Sequence, residues 1–369
     1  MTLVGSAVAI ARQASRRSLF SLKFERAASS TTIGFVGLGK IGAAMATNLL
    51  QAGHCLAVHD VEPSAVERLR SEGAATPGSV AEVARAVGDG VCFTVLPNDA
   101  SLVDVVEGGG LLEALSGSGA VHVSCSTVSP HTSRSLAERH AAVGASFVSA
   151  PVFARPDGMR AAQATIPISG APDAVARARP LLEATSTGVY EFGADAGAAN
   201  VAKLCGNYLI AAAIEANAEA LALAEAEGVA RDQLIAMLSS TIFDCLIYRG
   251  YGARVAARDH YPHPDAHFAL ELGLKARLSP THHTSRSIDA LAPAPASLSQ
   301  DVALVADTAA RARVPMPLGS LLRDRYVSAA ARGWGQLDWS AIGLAVSADA
   351  GVDITKHLAR CQEGTAKYS

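Results

Sequence analysis

The chain has 369 residues, half of them apolar and 18% charged, with 34 acidic against 31 basic side chains. That length allows about two domains on a scale of ~150 residues each, and the apolar content excludes disorder for most of the chain. A net charge of −3 without a long basic block excludes a dedicated nucleic-acid binder.

Residues 1–30 carry Arg12, Arg16, Arg17, Lys23 and Arg26 against the single acid Glu25, and they are rich in Ser and Ala. Such an Arg-rich, acid-poor leader resembles a mitochondrial transit peptide, which predicts the mitochondrial matrix; a plastid address or a cytoplasmic protein with a basic tail are the alternatives. The remainder is net acidic.

From 31 to about 192, short β-branched runs alternate with helical stretches. Segments 33–36, 56–59, 91–96, 120–124 and 146–150 read as strands, and 41–52, 64–72, 79–87, 102–106 and 130–143 as helices. This alternation predicts an α/β domain with a doubly wound parallel sheet. Beyond 193 the strand signal stops. Residues 197–228 read as one long buried helix closed by Gly228, followed by helices at 231–240, 265–275, 301–313 and 317–332. Residues 193–355 therefore form an all-α domain, and 356–369 a tail. Within it, 276–300 lacks apolar periodicity and holds Pro280, Pro293 and Pro295, an interruption inside a helical stretch. No run of about 20 apolar residues predicts a membrane span. The six cysteines lie at least 30 positions apart and give neither metal pairs nor a disulfide framework.

Gly37-Leu38-Gly39-Lys40-Ile41-Gly42 follows the first strand and opens the first helix. In that context Gly37 permits the tight turn, Gly39 the approach of a pyrophosphate, and Gly42 the packing of helix on strand. The helix N-terminus offers free N–H groups to the anion. Asp60 ends the second strand, where its carboxylate would bind a ribose 2′-hydroxyl and repel a 2′-phosphate, favouring NAD while leaving NADP possible. Lys203 and Asn207 lie four apart on the long helix, hence on one face. A lysine there either exchanges protons with lowered pKa or snorkels to the surface.

The segments FVGLGKIGAAMATNLLQAGH (35–54), VLPNDA (95–100), SCST (124–127), SAPV (149–152) and GAANVAKLCGNYLI (197–210) together resemble the β-hydroxyacid dehydrogenases. The resemblance implies a Rossmann domain followed by an all-α domain, with the site in the cleft between them. It implies NAD(P)-dependent interconversion of a small 3-hydroxy acid and its semialdehyde, with glyoxylate or succinic semialdehyde reduction, or a catalytically impaired nucleotide-binding homologue, as the alternatives. It also implies Lys203 as the catalytic lysine, Asn207 as substrate-orienting, Ser126 as a substrate contact, and Leu96, Pro97 and Lys275 beside the cofactor. A homo-oligomer is expected, since the apolar long helix suits a dimer interface.

Three departures from the family pattern stand out. The usual D-A-P-V-S-G-G reads Ser149-Ala-Pro-Val-Phe153-Ala154-Arg155, so that Arg155 either clamps a substrate carboxylate or points to solvent or Asp157. Gly206 replaces an asparagine. Residues 276–300 separate Lys275 from Asp301 as an insertion that, if genuine, breaks a helix beside the site. His260, His263, His267, His282 and His283 do not form a metal array, because Pro262 and Pro264 prevent helical spacing; no metal is expected.

Overall fold

The computed structural model describes residues 32–261 and 298–366. The leader, Lys275, the helix expected at 265–275, residues 276–297 and four of the five histidines lie outside the described residues. The described chain from Thr32 onward forms one compact unit.

Seven strands make one sheet: β1 (Ile33–Val36), β2 (Leu56–His59), β3 (Val91–Thr94), β4 (Val121–Ser124), β5 (Ser146–Ser149), β6 (Ala164–Gly170) and β7 (Ser186–Glu191). Their order is β2-β1-β3-β4-β5-β6-β7. The first five strands are parallel, and the order in which strands are added reverses across the β1/β3 junction. That reversal opens a crevice at the carboxyl ends of β1 and β3. β6 runs antiparallel to β5, which corrects the expectation of an all-parallel sheet, and β7 pairs parallel with β6. Neither β6 nor β7 reads as a strand in the sequence. β6 contains Pro167 and Gly170, and β7 is a half-exposed edge strand with a polar start.

The helices around the sheet are α1 (Lys40–Gln51), α2 (Pro63–Ser71), α3 (Val80–Val87), α4 (Asp99–Val106), α5 (Leu111–Ala114), α6 (Pro130–Ala142), α7 (Pro156–Arg160) and α8 (Pro172–Glu183). Successive strand residues feed opposite faces, as Phe35, Val58 and Phe93 join one apolar cluster while Val36, Ala57 and Cys92 join the other. Met45, Leu49 and Leu182 cover the first face; Val83, Leu102 and Leu136 cover the second. Burial on both faces explains why these strands read as continuous apolar runs.

The rest is helical: α9 (Ala198–Ala226), α10 (Arg231–Ser239), a π-helical turn (Tyr248–Gly252) into α11 (Ala253–Ala257), α12 (Leu298–Ala312), α13 (Pro317–Ala331), a 3₁₀ turn (Trp339–Ala341) into α14 (Ile342–Asp349), and α15 (Thr355–Ala366). Ile214 and Leu221 of α9 meet Leu322, Tyr326, Trp334, Trp339 and Ile342 in a second core. α12 begins at Leu298, so the last three residues of the expected insertion are helical and lead directly into Asp301.

Behind the sheet lies a buried polar chain. The Thr94 hydroxyl is 2.9 Å from His122 Nε2, His122 Nδ1 is 3.0 Å from His140 Nε2, and His140 Nδ1 is 2.7 Å from the Leu136 carbonyl. Burial lowers the pKa of both imidazoles, that of His140 to about 4. A group with depressed folded pKa that is neutral when folded contributes stability above its unfolded pKa near 6.5, lost as pH falls toward the folded value. The urea midpoint is therefore expected to drop between pH 6.5 and 4, with His140 contributing up to about 3 kcal/mol. His140→Gln should flatten that slope, and an unchanged slope would assign the acid sensitivity elsewhere.

Candidate active site

The turn after β1 is built around glycine. Gly37 has φ +94°, and a Cβ there would lie 2.2 Å from the Val95 carbonyl oxygen. A Cβ on Gly42 would lie 2.0 Å from the Gly37 oxygen, so α1 packs directly on the turn that precedes it. Gly39 caps α1 without a side-chain hydrogen bond, and its Cβ position faces open space. The first N–H groups of α1 lie at the crevice, and the bare Gly39 leaves room for the approach that a pyrophosphate requires. Lys40 is exposed and Ile41 half-buried at this mouth, while Leu38 is buried beneath it.

Asp60 closes the adjoining side. Its Oδ2 accepts from the Leu38 N–H at 2.5 Å and its Oδ1 from the Glu62 N–H at 2.8 Å. The carboxylate fixes the glycine turn to the end of β2 and retains lone pairs for a ribose hydroxyl. The next residue, Val61, is 92% exposed and brings no cation to the rim. The donor set fits an adenine dinucleotide. Leu96 and Pro97, both half-buried, form the opposite lip after β3.

Ser126 joins two of the loops at this lip. It is 2% exposed, and its Oγ accepts from the Leu96 N–H at 2.8 Å, tying the β4 loop to the β3 loop. Its oxygen thereby shapes the lip, and the hydroxyl hydrogen remains to donate. Arg155, at the start of α7, sends its guanidinium over the Tyr251 ring, 5.7 Å from the centroid, and its charge acts on the buried Asp338 carboxyl. It reaches the helical part, half-buried rather than turned out to solvent.

α9 carries a polar stripe at Asn200, Lys203 and Asn207, spaced three and four apart on one face. Asn200 is anchored to the sheet: its Nδ2 donates to Ser133 Oγ at 2.8 Å and to Ser149 Oγ at 3.2 Å, and its Oδ1 accepts from the Val128 N–H. Ser149 ends β5, so the helix starts at the carboxyl edge of the sheet. One turn on, Lys203 is 8% exposed, and among the described residues its ammonium has no hydrogen-bond partner. Burial lowers its pKa to about 8, opposed by the negative charge of Asp301. Asn207 donates to Asp301 Oδ2 at 2.5 Å. Desolvation holds the Asp301 carboxyl above the usual range, against the pull of Lys203 and Asn207.

Asp301 is the residue sequence reasoning gave no role. Its signal was present: Asp301, Val305 and Ala309 share the buried face of α12, which puts a carboxylate where an apolar side chain belongs. His260 is buried, with Nδ1 2.9 Å from Ser340 Oγ, and among the described residues no group of three His, Cys, Asp or Glu is placed to hold a metal. Among them, too, no helix is long and apolar enough to cross a membrane.

Residues 32–193 match the family model for the NAD binding domain of 6-phosphogluconate dehydrogenase. Over 311 residues the chain is 32% identical to an uncharacterised oxidoreductase of Bacillus subtilis, covering 84% of this chain and 98% of that one. It is 30% identical over 314 residues to an NAD-dependent L-serine dehydrogenase of Pseudomonas aeruginosa, covering 84% and 96%. The solved 3-hydroxyisobutyrate dehydrogenase of Mycobacterium tuberculosis with L-serine superposes with a TM-score of 0.70 at 27% identity, over 86% of this chain and 99% of that one. The glycine turn, the buried lysine and these full-length matches agree: the chain belongs to the β-hydroxyacid dehydrogenase family and is an NAD(P)-dependent oxidoreductase.

Proposed function

We propose that the protein interconverts a small 3-hydroxy acid and its semialdehyde, with NAD as the preferred cofactor and Lys203 as the general acid and base. The observation that carries this reading is the Lys203 ammonium, buried at the carboxyl edge of the sheet without a hydrogen-bond partner among the described residues. The bound nicotinamide supplies the hydride chemistry. Protonated Lys203 gives a proton to the carbonyl oxygen in reduction, and the neutral amine takes the hydroxyl proton in oxidation. With one amide hydrogen committed to Asp301, Asn207 keeps its other hydrogen and its oxygen to orient the substrate hydroxyl. The Asp301 charge limits how far burial lowers the lysine pKa, which keeps both protonation states accessible near neutral pH.

The substrate is to be sought with a panel of 3-hydroxyisobutyrate, L-serine and other short hydroxy acids, together with succinic semialdehyde and glyoxylate in the reducing direction. Two further readings accompany this one. The leader at 1–30 directs the chain to the mitochondrial matrix, as its five basic residues against one acid suggest. A homo-oligomer would cover the exposed Leu209 and Leu223 of α9.

Lys203→Ala is expected to keep NAD affinity and lose at least ~10²-fold in kcat, the low end for losing a general acid or base. Oxidation by the wild type should rise with pH through about 8, and reduction should fall there; a mutant with wild-type kcat would refute the mechanism. Asp60→Ser keeps one acceptor for the Leu38 N–H but removes the charge. It should raise the NADP-to-NAD ratio of kcat/KM about tenfold, ~1.4 kcal/mol, and an unchanged ratio would remove Asp60 from the ribose site. Residues 1–30 fused to a fluorescent protein should carry it into mitochondria; diffuse cytoplasmic signal would discard the address.

A further inference from the structure

Two of the departures from the family pattern touch each other. The Phe153 ring lies over Lys203, its centroid 4.1 Å from Nζ. The same ring packs against α9 at Gly206, where an added Cβ would fall 2.5 Å from Cζ and 2.6 Å from Cε1. The ring occupies the volume that any side chain at 206 would need. Glycine inside a 29-residue helix weakens that helix, so its presence calls for such a packing reason.

The backbone beneath the ring is fixed as well. The Phe153 N–H donates to the Thr165 carbonyl at 2.9 Å, and the Thr165 N–H donates to the Phe153 carbonyl at 3.1 Å, an isolated antiparallel bridge to β6. The ring is therefore held from the sheet side by a backbone clasp and from the helix side by a hole. A lysine has four rotatable bonds and three donors, so without a fixed neighbour its ammonium would sample many positions. An aromatic face attracts the charged form without consuming a hydrogen-bonding proton geometry as a carboxylate would. The charged group that acts on Lys203 is Asp301 on α12, whose negative charge favours the ammonium.

We propose that Phe153 is a positioning residue for Lys203, and that Gly206 serves to admit its ring: the two substitutions are one interlocked change. This rests on Lys203 being the proton carrier, but its test does not require turnover. The chain has only six lysines, so lysine Cε signals of ¹³C-labelled full-length protein, assigned with Lys203→Arg, report the ionisation of Lys203 directly.

Phe153→Leu keeps the site dry but loses the aromatic face, and should lower the Lys203 pKa by about half to one unit. Phe153→Tyr keeps the face and should leave it unchanged. Gly206→Ala displaces the ring and should lower the pKa in the wild-type background, yet have no effect on a Phe153→Ala background. An unmoved pKa in Phe153→Leu, or equal Gly206→Ala shifts in both backgrounds, overturns the proposal. Failure of Lys203 as acid and base would appear separately, as turnover surviving Lys203→Ala. Thermal unfolding identifies any variant that does not fold; Phe153→Met then replaces Phe153→Leu with the same expected shift.

Discussion

A single ammonium held out of water governs the arrangement around it. A buried charge must be neutralised, paired or surrounded by groups that favour it, and the molecule uses a distant carboxylate and an aromatic face. The carboxylate belongs to α12 and the face to the loop after β5, so the lysine stays in place only if sheet and helices are in register. α9 provides that register. With Asn200 fastened to Ser133 and Ser149, rotation of the helix would break two hydrogen bonds at the edge of the sheet before it moved Lys203. The polar stripe thus anchors the helix and sets the direction in which Lys203 points.

Asp60 plays the matching part on the nucleotide side. A carboxylate at the end of β2 accepts backbone N–H groups from two loops, so the group that would select the ribose is also the one that shapes the glycine turn. Ser126 does the same for the lips after β3 and β4. In both places a side chain expected to meet a ligand also holds backbone, which is why substitutions there would blur binding and loop geometry together.

The nucleotide half was legible because its physics is local. Strands buried on both faces read as apolar runs, and Gly37 to Gly42 sits where a turn, a close approach and a helix contact each forbid a side chain. β6 and β7 escaped because proline, glycine and an exposed edge remove the apolar signature that marks the central strands. Lys203 and Asn207 were visible as polar residues on a buried helix. Asp301 was not singled out, since its meaning depends on α12 docking against α9, a contact that spacing along the chain does not encode. The pairing of Phe153 with Gly206 was hidden for the same reason: each appeared as a separate departure, and only proximity joins them.

The hydrogen bond between Asn207 and Asp301 spans 94 positions of sequence. The strand pairs and the glycine turn all lie before residue 193, whereas this bond needs a helix from beyond it. The order of synthesis runs the same way, nucleotide half first. The nucleotide half is thus made before the helix that carries Asp301. The surroundings of Lys203 are therefore drawn from both halves of the chain, Phe153 from the loop after β5 and Asp301 from α12.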